Sequence, residues 1–104
     1  MKLQVQSMPG VSLAATVQKA SCENGLGRAA EVAVQWKVDK VGVSTVRVLV
    51  AGKGEQPKIW HEGGAEDAKT TGPWIDGGAR LELVDAGTLE PLGTITAEAT
   101  ACGQ

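Results

Sequence analysis

The sequence predicts an all-β domain, an antiparallel β-sandwich of seven or eight strands. Three runs carry that expectation. Val32, Val34, Trp36 and Val38 alternate with Ala33, Gln35, Lys37 and Asp39. Val46, Val48 and Val50 alternate with Thr45, Arg47 and Leu49, and Leu81 and Leu83 alternate with Arg80, Glu82 and Val84. A period of two with one apolar face marks a strand buried on one side. No ten-residue helical stripe competes with it.

The remaining elements follow from the same period and from turn residues. Leu3 and Val5 are in phase in a short first strand, with residues 1–10 peripheral to the rest, and Pro9-Gly10 breaks it. Residues 11–20 form a strand with Leu13, Ala15 and Val17 on one face. Residues 22–27 read as a loop in which Asn24-Gly25 suits positive φ. The clearest strand covers residues 30–38, and the next covers 43–50. Residues 58–62 form a short strand carrying Trp60, residues 62–69 a polar loop, and residues 70–75 a short strand or extended segment that Pro73 confines to an edge or bulge. Strands at 79–84 and 92–101 flank a hairpin signal at Asp85-Ala86-Gly87-Thr88. On the last strand Ile95, Ala97, Ala99 and Ala101 share a face.

At 104 residues the chain is one domain, spanning residues 1–104, and is long enough to bury a core without metals. Phe and Tyr are absent, so Trp36, Trp60 and Trp74 are the whole aromatic supply apart from one His. Each indole can bury about 150–250 Å². Three positions therefore dominate the core or a binding surface. The net charge of −2 comes without a run of Lys or Arg, which argues against nucleic acid and anionic lipid as partners. No apolar run is long enough to span a bilayer as a helix. Met1-Lys2-Leu3 starts like a signal peptide, but Pro9-Gly10 interrupts the apolar stretch such a leader needs.

The order of strands resembles the fibronectin type III and immunoglobulin-like modules of bacterial proteins. Val32-Ala33-Val34-Gln35-Trp36 is similar to their second strand with its inward Trp, and residues 44–50 to their third. Thr71-Gly72-Pro73-Trp74-Ile75-Asp76-Gly77-Gly78, followed by the strand from Arg80 to Asp85, completes the likeness, which covers residues 11–101. The resemblance implies an immunoglobulin-like, fibronectin type III-type sandwich. It implies no activity, because such modules serve as spacers, adhesins, carbohydrate binders and virion decorations. The tyrosine corner of antibody domains is missing, since no Tyr precedes Cys102.

Within such a sandwich the strand leading to Cys22 and the last strand end at the same pole. Cys22 and Cys102 are then neighbours, and a disulfide between them is expected; two free thiols are the alternative. Closing a loop of that length stabilises by about 4.5 kcal/mol in the chain-entropy model. A bridge would favour an extracellular, periplasmic or virion setting.

No catalytic constellation emerges. His61 is the only histidine, and Glu62, Glu66 and Asp67 near it match no zinc or calcium template. Ser12, Ser21 and Ser44 lack a nucleophile-elbow context, and Gly52-Lys53-Gly54 lacks Walker spacing. The expectation is a non-enzymatic, cofactor-free interaction or structural module of a bacterial or phage surface assembly, monomeric in isolation. It would present loops at one pole, or an edge strand, to a protein or glycan partner. Trp60, His61 and Trp74 are the candidate contact residues. Trp60 and Trp74 either cap the core or form a stacking platform, and the second case would make a carbohydrate-binding module.

Overall fold

A computed structural model describes residues 1–102. Eight strands form two antiparallel sheets. The strands are β1 (Lys2–Ser7), β2 (Val11–Glu23), β3 (Leu26–Val38), β4 (Thr45–Ala51), β5 (Lys58–Gly64), β6 (Glu66–Thr70), β7 (Arg80–Asp85) and β8 (Pro91–Glu98). One sheet has the order β1-β8-β7-β4-β5 and the other β2-β3-β6. The chain is thus all-β and sandwich-like, with one apolar layer between the sheets.

That layer is built by the periodicity of the sequence. Val32, Val34, Trp36 and Val38 enter it from β3, and Val46 and Val48 from β4. Leu81, Leu83, Ile95 and Ala97 enter it from β7 and β8. Val34, Trp36, Val48 and Leu83 are all at most 3 % exposed. Leu13, Ala15 and Val17 pack on its flank as half-buried residues.

Four segments differ from the sequence expectation. Residues 22–27 are not a loop: β2 and β3 continue to a two-residue turn, with Asn24 at φ 54° and Gly25 at φ 79°. Two adjacent positive-φ residues make a tight hairpin turn whose twist matches the strands. A thirteen-residue strand spans about 43 Å, close to the 48 Å length of the molecule. The outer part of β2, from Gln18 to Glu23, is exposed.

The loop expected at 62–69 is mostly strand: residues 62–64 complete β5, and residues 66–69 belong to β6, paired with β3 from Lys37↔Glu66 to Ala33↔Thr70. Residues 70–75, expected to be extended, instead leave the regular ladder after Thr70, stay bonded to β3 at Thr71 through Val32, and meet β3 again at the bridge Ala30↔Ile75. Pro73 cannot donate to a ladder, and the excursion is where it is accommodated.

The last strand is shorter than its apolar pattern. β8 stops at Glu98, and the chain crosses to the β2–β3 hairpin. There Gly27 N–H donates to Thr100 O at 2.9 Å and Cys102 N–H to Gly25 O at 2.9 Å. Ala101 is exposed opposite Leu26 rather than part of a β8 face. Cys22 and Cys102 are bonded, with 6.0 Å between their Cα atoms. The bridge fixes the chain end to the hairpin near its tip.

Candidate functional site

The aromatic residues converge on the side of the sandwich where β5 and β6 are the edge strands. The cause is a bulge. Between β4 and β5 the register steps from Val48↔His61 to Leu49↔Ile59, leaving Trp60 as an extra residue. A bulge re-aims neighbouring side chains, and here Trp60 and His61 are both half-buried while Ile59 and Glu62 are exposed. In a regular strand these two neighbours would point to opposite faces.

The rings form a continuous chain. Trp36 and His61 have centroids 5.7 Å apart, His61 and Trp60 6.0 Å, and Trp60 and Trp74 6.1 Å with an interplanar angle of 79°. Trp36 is the inner end, 3 % exposed, with its indole N–H donated to Gly64 O at 2.9 Å. Trp74 is the outer end, 46 % exposed.

β6 supplies the polar half of the seam. Asp67 and Lys69 pair with Trp36 and Val34, so both lie on the core-facing side of an edge strand. Lys69 Nζ stands 5.6 Å from the centroid of the Trp60 ring, a cation–π contact. Asp67 Oδ2 lies 3.5 Å from His61 Nε2, which is buried and has no hydrogen-bond partner among the described residues. The Ala68 N–H, 2.8 Å from Oδ1, and then His61 hold the Asp67 carboxyl below the usual carboxylate range. Gly63 makes room for this pair: a Cβ there would sit 2.6 Å from Asp67 Oδ2 and 2.9 Å from His61 Nε2.

Trp74 is held out by two buried anchors. Thr71 is 3 % exposed and Ile75 fully buried, and both are bonded to β3. Between them Trp74 N–H donates to Gly72 O at 2.9 Å, a three-residue turn centred on Pro73. The indole folds back over Gly72, where a Cβ would approach Trp74 Nε1 to 2.6 Å. Trp74 also walls a cleft whose other lining includes Val50, Gly52, Glu55, Lys58 and Ala79.

The three candidate contact residues are therefore brought together but differ in access. Trp74 is open to solvent, Trp60 is half covered by Lys69 and Trp74, and His61 is set behind them, its side chain 19 % exposed. Sequence reasoning named Asp67 near His61 but only against metal templates, and it missed Lys69 as part of this cluster and Trp36 as its inner end. The two-residue spacing of Asp67 and Lys69, which puts both on one face of a strand, was the available signal. Among the described residues no three His, Cys, Asp or Glu side chains lie close enough together to hold a metal ion, and no helix is long and apolar enough to cross a membrane.

The fold and this seam define an all-β, two-sheet, disulfide-bonded domain with an aromatic edge. No family model, curated protein or solved structure matches the chain.

Proposed function

We propose that the chain is a non-catalytic interaction module with an immunoglobulin-like sandwich fold, and that its contact surface is the β5–β6 side centred on Trp74. The fold reading is supported by strand order. Immunoglobulin-type sandwiches place strands A, B and E in one sheet and C, F and G in the other. Here β2, β3 and β6 fall in the first set and β4, β7 and β8 in the second, with β5 beside β4 and β1 beside β8.

One observation carries the functional reading: a half-exposed indole held between two buried, doubly bonded anchors. A large aromatic side chain presented on a rigid frame loses little entropy on binding and is a common energetic centre of protein interfaces. The disulfide supports an oxidising setting, extracellular, periplasmic or on a virion.

A sugar-stacking role for Trp60 and Trp74 has less support. Their rings meet edge to face, and one face of Trp60 carries Lys69, so the two do not offer coplanar faces to one pyranose. The test compares immobilised wild-type protein with Trp74→Ala. A partner retained by the wild type and depleted at least tenfold by the variant is expected. An identical set of retained proteins removes Trp74 as the contact. Quenching of Trp fluorescence by an oligosaccharide would turn the reading to carbohydrate.

A further inference from the structure

The sandwich has four edge strands, and they are not equally closed to strand addition. β6 turns Asp67 and Lys69 toward the core side, a device that discourages pairing. β2 carries two register shifts against β3, where β5 carries one against β4, and such bulges twist an edge away. β1 packs beside β2 and offers Lys2, Gln4 and Gln6 to solvent. Each edge strand bonds to one neighbour only, and β5 carries the most exposed large apolar side chain among them: Ile59 is 59 % exposed, against 37 % for Val5 on β1. An exposed apolar residue on an unpaired edge is what natural sheets avoid unless the edge is used.

The surroundings of β5 add side-chain recognition to its free backbone groups. At its start lies the cleft between Trp74 and the β4–β5 loop, floored by Val50 and Ala79. Glu55, on the cleft rim, already accepts the Gly52 N–H at 3.1 Å. Lys58 on the rim and Lys69 above Trp60 take part in none of the five ion pairs among the described residues, whereas all three arginines do. Of the six lysines outside those ion pairs, these two stand at the Trp74 cleft and over the adjoining Trp60 ring.

We infer that β5 accepts an extended, acidic segment of a partner protein as an added strand, with an apolar side chain in the Trp74 cleft and carboxylates facing Lys58 and Lys69. Main-chain hydrogen bonds give such a complex its affinity, and the pocket and charges select the sequence. This rests on the reading of the chain as an interaction module.

The test titrates acetylated and amidated heptapeptides into the 15N-labelled full chain. One panel is built from Val, Thr and Glu with a single Leu or Phe stepped through each position; a second panel has Lys in place of Glu. The acidic panel is expected to shift the amide resonances of residues 58–64 and the Trp74 indole N–H, and to bind at least tenfold more tightly than the basic panel. Methylating alternate backbone nitrogens along one edge of the best peptide should abolish binding. Trp74→Ala should weaken it tenfold or more while leaving resonances remote from the seam in place, and Lys58→Glu should reduce the preference for the acidic panel. Shifts confined to Trp74, with none along β5, overturn strand addition and leave the contact role of Trp74 standing. Shifts elsewhere that Trp74→Ala does not alter overturn both. No shift with either panel, equal binding of the methylated peptide, or an oligogalacturonate that occupies the Trp74 cleft more tightly than any peptide also overturns the proposal.

Discussion

Val32 and Thr71 are bonded to each other twice, once through a side chain acting where a backbone carbonyl would. Thr71 N–H donates to Val32 O at 2.9 Å, and Val32 N–H donates to Thr71 Oγ1 at 2.9 Å. The hydroxyl in turn donates to Gly72 O at 2.9 Å. The sheet edge is therefore satisfied across the point where the chain leaves β6 for the Trp74 excursion.

Thr71→Val keeps the volume but removes the acceptor. The Val32 N–H, on a residue that is 0 % exposed, then has no partner. Leaving a buried donor unpaired costs about 1–3 kcal/mol. Denaturant unfolding should show a loss in that range. Faster hydrogen exchange at Val32 should separate it from a general loosening. A loss within about 0.5 kcal/mol, the usual range for uninvolved surface positions, would show that the hydroxyl does not support the ladder.

The seam pair gives a pH prediction. Asp67 is held below the ordinary carboxylate range, first by the Ala68 N–H and then by His61. A carboxylate whose folded value is depressed adds stability that is present above its unfolded value, about 3.9. That contribution is lost as pH falls through the lower folded value. Wild type should therefore exceed Asp67→Asn in Tm near pH 6, with the gap closing as pH falls below the unfolded value and through the lower folded one. Gly63→Ala should push the two side chains apart and return the Asp67 midpoint, read by carboxyl NMR, toward the ordinary range. An unchanged midpoint would show that His61 does not act on Asp67.

How much of this was legible in the sequence depends on where apolar periodicity reaches. β3, β4 and β7 bury one face in a continuous core, so alternation marks them. The outer β2–β3 hairpin has little core to face, and its Ser21, Cys22 and Glu23 carry no pattern that distinguishes strand from loop. β6 hides for a related reason. Its core-facing positions are Asp67 and Lys69, tolerated because His61 and Trp60 meet them from the other sheet. Adjacent Trp60 and His61 both turn inward only through a bulge, which period-two reasoning cannot place. The Cys22–Cys102 pairing was accessible because it follows from which ends of strands share a pole.

That bridge closes a span of 80 residues, and the chain-entropy model assigns it about 4.5 kcal/mol. Native-state relaxation lowers such values, so the Cys22→Ser, Cys102→Ser double variant should lose about 2–4.5 kcal/mol. The loss should have a local signature too. The Gly27 and Cys102 amides, bonded to Thr100 O and Gly25 O, should lose exchange protection while the amides of β4 keep theirs. Uniform loss of protection across both sheets would mean that the bridge serves the whole fold rather than the chain end.

Gly93 tests a steric requirement rather than a conformational one. It lies in β8 opposite Ser7 on one side and Leu83 on the other, where its backbone is ordinary strand. A Cβ there would come within 2.8 Å of Leu13 Cδ2 and 3.0 Å of Gln6 O. The leucine tip can rotate away, but the Gln6 carbonyl belongs to the β1–β8 pairing and cannot move without loosening it. Gly93→Ala should cost about 1–3 kcal/mol as overpacking and raise exchange in β1. Adding Leu13→Ala should recover only part of the overpacking strain, because the backbone contact remains. A double variant free of any coupling between the two sites would show that β1 simply shifts outward and that the close approach is not needed. At Gly25, by contrast, φ is +79° and no atom lies within 4 Å of the added Cβ. Gly25→Ala should therefore cost about 1–2 kcal/mol from its left-handed backbone alone, with no response to any neighbouring truncation.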